Sequence, residues 1–413
     1  MRRKGIGRRD VLAGAGGLLA APGIVCAEGT NGVALVVGNS KYKWEASLPN
    51  AKRDVTDIAR CFEAMGLKTE LVEDAARPAM DQALEKFAQA SRGASLAAFY
   101  FAGHGASWEA LTYLVPVDAD LRHASAVKGL ISVHAPADAA QGAQARLMVF
   151  DNCRNNPADG QRQQKTLDRA KGSGTGLNGD GLPMPPDTLS IYSTAPGRVA
   201  LDGPAGDNSP FASVLLRRLS AKTVELTSLN PNLRRQLLIE TEGRQLIWGG
   251  QKFGQPRPIK GTGTRSTARE PRAIDPARLV ELKNAYAFAR EIESPLPSGM
   301  VAIRPPQDGP AARMVGAYKF VGPGEQPHLW LVLSAHDGKS AEVIMVTRVD
   351  GKPQWRYFQA AVSGNTLDAL PWSGGERFVF KWNDKGSGEV TGMGTSRDAR
   401  STPVSMPFVR LDG

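Results

Sequence analysis

The chain has 413 residues, 41% hydrophobic and 22% charged, proportions of a folded globular protein that exclude an extended disordered polymer. Three cysteines are too few to build a disulfide scaffold. The net charge of +10 falls to +6 without residues 1–27, and with no basic stripe interleaved with aromatics it argues against a nucleic-acid partner.

Residues 1–27 read as an export signal. Arg2, Arg3, Lys4, Arg8 and Arg9 precede an uncharged stretch, Val11 to Val25, that ends in small residues around Cys26-Ala27. The run Arg8-Arg9-Asp10-Val11-Leu12 matches the twin-arginine route. The apolar stretch is shorter than the ~20 residues a spanning helix needs. Val25 stands where a lipoprotein signal would place a small residue before Cys26. The expectation is an exported protein, periplasmic or extracellular, with no stable membrane span once the signal is removed.

From Gly32 strand and helix patterns alternate. Val33 to Val37 is an apolar run ending at Gly38, as in a strand covered on both faces. Asn50 to Met65 has apolar residues at helical spacing and stops at Gly66. Cys61 lies on its apolar face, with Ile58, Phe62 and Met65, as a buried inert thiol. A strand over Lys68–Val72, a helix over Arg77–Ser91 and a strand over Leu96–Phe101 follow, then a strand over Arg146–Phe150 and another over Leu189–Ser193. A helix capped by Ser209 with Pro210 in its first turn, a helix near Asn232–Glu242 and a strand near Gln245–Trp248 complete the set. Such alternation predicts an α/β fold, a mostly parallel sheet flanked by helices, over residues 30–255.

Two breaks interrupt it. Residues 155–187 form a long polar loop containing Arg162, Lys165, Arg169 and Lys171; residues 256–272 are basic and glycine- and threonine-rich, as in an interdomain linker. A helix over Pro276–Glu291 closes the 256–300 linker-and-helix region. Over 301–413 the pattern is of strands separated by Asp337-Gly338, Asp350-Gly351 and Gly364-Asn365, which are hairpin signals. The expectation there is an antiparallel β-rich domain, a small barrel or sandwich. His328 and His336 read as ordinary surface or turn histidines.

The chemistry sits at two strand ends. Phe99-Tyr100-Phe101-Ala102-Gly103-His104-Gly105 ends in a histidine between glycines, and Leu147-Met148-Val149-Phe150-Asp151-Asn152-Cys153-Arg154 ends in a cysteine. Sites in such sheets lie at the carboxyl ends of strands. A thiol attacks as thiolate and needs a nearby base, and His104 can take its proton and later protonate a leaving amine. Gly105 lets the backbone approach closely.

With Val37-Gly38-Asn39-Ser40-Lys41-Tyr42 and Leu114-Val115-Pro116-Val117-Asp118, these motifs make the stretch from Val33 to about Gly250 resemble the caspase-like cysteine peptidases, closest to the paracaspase and bacterial metacaspase branches. The histidine lies about 50 residues upstream of the cysteine, the spacing of that family. The resemblance implies a caspase-like fold, Cys153 as nucleophile, His104 as acid/base, and the Gly105 and Cys153 amides as oxyanion hole. It departs from animal caspases in having Asp151 and Asn155 where their signature has Gln and Gly. Paracaspases and metacaspases place carboxylates in the specificity pocket and cleave after Arg or Lys. The resemblance therefore implies Asp54, Asp151 and Asp202 as substrate-binding acids, able to grip a guanidinium through bidentate charge-assisted bonds. Partners would be proteins or peptides with Arg or Lys before the cut bond.

No cofactor is expected. Some metacaspases are activated by calcium, but neither a calcium loop nor a metal-ligand spacing is recognisable. Self-cleavage within 155–187 is an open alternative to a loop kept soluble by its charges. A different class also stays open: a catalytically silent scaffold or binding protein acting through the C-terminal β-domain. No Gly-x-Ser-x-Gly lies at a strand-to-helix turn to favour a serine hydrolase.

Overall fold

The computed structural model describes residues 31–411 except 109–110, 123, 154–184, 197, 321–326, 337–338, 350, 370–376, 384–386 and 394–403. The export signal expected over 1–27, and the 155–187 loop up to residue 184, lie outside the described residues.

The strands β1 (Gly32–Gly38), β2 (Leu67–Glu73) and β3 (Leu96–Gly103), with helices α1 (Ala51–Ala64) and α2 (Arg77–Ala90), follow the predicted elements to within two residues. A small antiparallel sheet of β4 (Gly105–Trp108), β5 (Leu111–Leu114) and β6 (Ile131–Ser132) comes next, unannounced by the sequence because its strands are so short. The chain continues through α3 (Ala135–Ala139), β7 (Arg146–Asn152), β8 (Thr188–Tyr192), α4 (Pro210–Leu219), β9 (Thr223–Glu225), α5 (Leu226–Glu240) and β10 (Trp248–Lys252). The main sheet has the order β10-β8-β7-β3-β1-β2. Its strands are parallel except β10, which runs antiparallel to β8 at the edge.

Every residue of β1, β3 and β7 is buried, because the sheet is covered on both faces. Val36, Tyr100, Val149 and Ile191 share one face with Ile58 and Phe62 of α1 and Phe211 of α4. Leu35, Phe99, Phe101 and Phe150 share the other with Met80 and Phe87 of α2. Each such side chain contributes roughly 1.5–3 kcal/mol by leaving water, which holds the central strand ends rigidly in place. Ser209 caps α4 by accepting from Ala212 N at 3.0 Å, as its position before Pro210 requires.

The stretch expected as a free linker is corrected by the structure. Within it β11 (Pro258–Lys260) pairs with β9, Gly261 N donates to Lys222 O at 3.1 Å, and Thr262 N to Leu219 O at 2.9 Å. A composition without apolar period cannot reveal backbone pairing of this kind. The helix predicted over Pro276–Glu291 is also shorter: β12 (Leu279–Glu281) precedes α6 (Lys283–Glu291), because Leu279–Glu281 finds a partner in β13 (Val301–Ile303).

After α7 (Pro310–Met314) come β14 (Gly316–Phe320), β15 (His328–His336), β16 (Ser340–Val349), β17 (Lys352–Ser363), β18 (Thr366–Ala369), β19 (Arg377–Trp382), β20 (Gly388–Met393) and β21 (Val404–Arg410). Each pairs antiparallel with the next, and β14 with β21 closes them into an up-and-down barrel. Closure removes the exposed sheet edges. Gly351 (φ 73°) and Gly364 (φ 55°) take the left-handed backbone that their hairpin turns demand. Trp330, Phe380, Trp382 and Phe408 pack edge-on or tilted against one another inside, with ring centroids 4.7–6.0 Å apart. The barrel is thus a filled core, and that core is continuous with the α2 face of the main sheet. Trp248 of β10 meets Trp355 of β17 edge-on, with centroids 6.2 Å apart.

Candidate active site

Strand register brings the two reactive side chains together. β3 and β7 are adjacent and parallel, with Gly103 opposite Asn152, so His104 and Cys153 leave the sheet side by side. Neighbouring strands lie about 4.8 Å apart. Contact between the two turns is direct: a Cβ at Gly105 would overlap Asn152 Nδ2 and the Cys153 carbonyl oxygen. Asn152 Nδ2 donates to that same carbonyl at 2.7 Å.

His104 is held from several sides. Its N–H donates to Tyr42 Oη at 2.7 Å, its carbonyl accepts from Val115 N at 3.1 Å, and its ring lies 4.5 Å from the Tyr42 ring. Its Nε2 is 2.7 Å from Ala46 O. A carbonyl only accepts, so Nε2 carries the hydrogen and Nδ1 is left as the basic nitrogen. Asn39, fully buried, sets the loop that carries Tyr42 and Ala46: its Nδ2 donates to Val115 O at 2.9 Å and its Oδ1 accepts from Ala75 N at 2.9 Å.

Cys153 is half-buried. Burial pushes its thiol up from its ordinary value, the hydrogen-bonded Ala200 amide opposes this, and the charges of Asp151 and Asp202 add to the rise. Cys61 is buried, and burial alone raises its thiol to about 12, in keeping with an inert packing role.

Two of the acids expected to bind substrate are buried and joined to one another near Cys153. Asp54, in the first turn of α1, is 2% exposed, and Asp151, next but one to Cys153 on β7, is 7% exposed. Asp54 Oδ1 accepts from Asn208 Nδ2 at 3.1 Å and Ser209 N at 3.0 Å. Asp151 Oδ2 accepts from Ser209 Oγ at 2.9 Å and Tyr100 Oη at 3.1 Å. Ser209 therefore joins the two carboxylates while capping α4. Burial, and then repulsion from Asp151, push Asp54 up to about 8; burial pushes Asp151 up to about 6 against its hydroxyl donors. Among the described residues neither carboxylate has a cationic partner. At neutral pH the pair holds one negative charge and one proton, a buried arrangement that a cation would relieve.

Asp202 belongs to the same neighbourhood by a different route. It follows Ala200 in the segment after β8, and Asn50 Nδ2 holds its carbonyl at 2.8 Å. Partial burial raises its carboxyl, opposed by the charge of His104, and its own charge raises Asp151 and Cys153 in turn. Sequence reasoning did not single out Tyr42, Ala46, Asn208 or Ala200 for the site. Tyr42 was legible only as part of a motif, and the others act through backbone groups or across the fold, where sequence leaves no signal. No group of three or more His, Cys, Asp or Glu side chains is placed to hold a metal among the described residues.

A family model described as the caspase domain matches residues 31–252. The crystal structure of caspase-1 from Spodoptera frugiperda is similar at 15% identity and a TM-score of 0.41, over 58% of this chain and 92% of that one. No curated protein sequence matches the chain.

Proposed function

The chain belongs to the caspase-domain family of cysteine-type peptidases, and from that membership we propose that it is an exported endopeptidase that cuts after arginine or lysine. The observation that carries the specificity is the buried Asp54–Asp151 pair, without a cationic partner among the described residues, its Asp151 two residues from Cys153. A guanidinium or ammonium entering there restores both carboxylates to their charged form and gains charge-assisted hydrogen bonds.

The adjacency of the two strand ends supports the following reaction. Nδ1 of His104 takes the Cys153 thiol proton as the sulfur attacks the carbonyl carbon on the carboxyl side of the bound Arg or Lys. The carbonyl electron pair moves onto oxygen, where the Gly105 and Cys153 amides receive it. The intermediate collapses, the C–N bond breaks, and the amine leaves with the proton from His104. Water then cleaves the thioester with His104 as base, and the free acid departs. No cofactor enters this cycle.

A panel of fluorogenic peptides ending in Arg, Lys, Asp or Ala tests the reading on the protein without residues 1–27. Turnover of the Arg and Lys peptides, abolished by Cys153→Ala, is the expected result. Cleavage of the Asp peptide alone would overturn the pocket assignment. Fractionation of cells producing the full chain tests export: the protein is expected outside the cytoplasm and shortened by the signal.

A further inference from the structure

The segment that follows β8 carries Ala200 and Asp202, whose backbone amide and carboxylate both bear on the Cys153 thiol. It is anchored from within the peptidase domain by Gln245, which is 1% exposed: its Oε1 accepts from Leu201 N at 3.1 Å and its Nε2 donates to Ser193 O at 2.9 Å. Asn50 fixes Asp202 as described above. Between these anchors Arg198 reaches the outer wall of the barrel. Its Nη2 donates to Glu342 Oε1 of β16 at 2.5 Å, and its guanidinium lies 4.9 Å over the ring of Tyr357 on β17. Glu342 is 2% exposed, so the barrel presents a buried carboxylate at the place this arginine reaches.

A buried ion pair is a poor source of net stability, because desolvating two charges offsets most of their attraction. What it supplies is geometry: a planar guanidinium, stacked on a ring and paired to a carboxylate, has one orientation. We propose that the barrel is a positioning element of the active site. Through Arg198, Glu342 and Tyr357 it fixes the segment 193–202, and so sets the Ala200 amide on the Cys153 sulfur and Asp202 beside His104. Arg198 is a positioning residue, acting on Cys153 through Val199, the single residue between it and the Ala200 amide. The coupling is reciprocal, so occupancy of the peptidase site and the state of the barrel face influence each other. This inference rests on Cys153 being the nucleophile.

The test is the alkylation rate of Cys153 by iodoacetamide in the full chain, followed by the mass of the Cys153 peptide, with buried Cys61 as the slow internal reference. Losing one donor to the thiolate is worth about one pKa unit, so Arg198→Met and Glu342→Gln are each expected to slow alkylation about tenfold at fixed pH. Arg198→Lys, which keeps the charge, is expected to regain most of the rate. Turnover of an Arg peptide should fall and recover in the same order. A wild-type rate in Arg198→Met, with an unchanged melting temperature, overturns the inference. If that variant does not fold, Glu342→Gln and Tyr357→Leu decide: a wild-type rate in both overturns the inference, and a loss in either supports it. A wild-type Cys153 no faster than Cys61 would overturn the nucleophile assignment itself, a result distinct from an indifferent Arg198.

Discussion

Replacing Asp54 by Asn separates the function of the acid pair from its cost to folding. In the free protein Asp54 is pushed up to about 8 and Asp151 to about 6, so at pH 7 the pocket carries a single charge. A bound guanidinium requires both charges, and the proton on Asp54 must leave. Affinity for agmatine, a guanidinium with no cleavable bond, should therefore rise between pH 6 and 8, by up to tenfold per pH unit, and level off above about pH 8. Asp54→Asn removes one member of a desolvated charge pair, a loss of about 2–5 kcal/mol, and should abolish the pH dependence above pH 6. Stability should move the opposite way. A carboxyl raised from 3.8 to about 8 in the fold stabilises fully only below its unfolded value, and that contribution is lost as pH rises through about 8. At pH 7 the cost reaches up to ~4 kcal/mol at 1.36 kcal/mol per unit, and the neutral amide does not incur it. Isothermal titration calorimetry with agmatine from pH 6 to 9, alongside urea unfolding at pH 8, measures both effects. A wild-type affinity unchanged between pH 6 and 8, or an Asn variant less stable than wild type at pH 8, would refute the reasoning.

Gly105→Ala places a Cβ where Asn152 Nδ2 and the Cys153 carbonyl already lie. Its kcat on an Arg peptide should fall by at least about 100-fold, the scale of losing an oxyanion donor; kcat within a factor of three of wild type would contradict the contact. Tyr42→Phe removes the acceptor of the His104 N–H and leaves that donor unpaired, at a cost of about 1–3 kcal/mol. Both kcat and the urea midpoint should drop, and an unchanged pair of values would show the bond to be idle. If residues 155–187 are cut by the enzyme itself, wild type should show two fragments on a denaturing gel and Cys153→Ala one intact band; identical intact bands from both would end that idea.

Several features were legible in the chain before any coordinates. Runs such as Val33–Val37 and Leu147–Phe150 are apolar throughout, and only a sheet covered on both faces buries such strands. Their abrupt stops at His104 and Cys153 located the reactive groups, because parallel strands deliver their carboxyl ends to one edge. Glycines flanking short hydrophobic runs beyond residue 300 announced hairpins. The short strands β4, β5, β6, β14, β18 and β20 left no such trace: each is too short to carry a period, and β4, β14, β18 and β20 also contain glycine or charge.

The sequence by itself determined the element types, the nucleophile and base candidates, and the carboxylates near them, since these depend on residue identity and local period. Tertiary structure alone decided what those groups meet. It set Gly103 opposite Asn152 and placed Ser209 between Asp54 and Asp151, which are 97 positions apart. It left that pair without a cationic partner among the described residues, paired β11 within the expected linker with β9, and closed eight strands into a barrel whose buried Glu342 receives Arg198. Such contacts depend on register and packing between residues far apart in the chain, and the free energy that selects them belongs to the assembled core rather than to any segment of it.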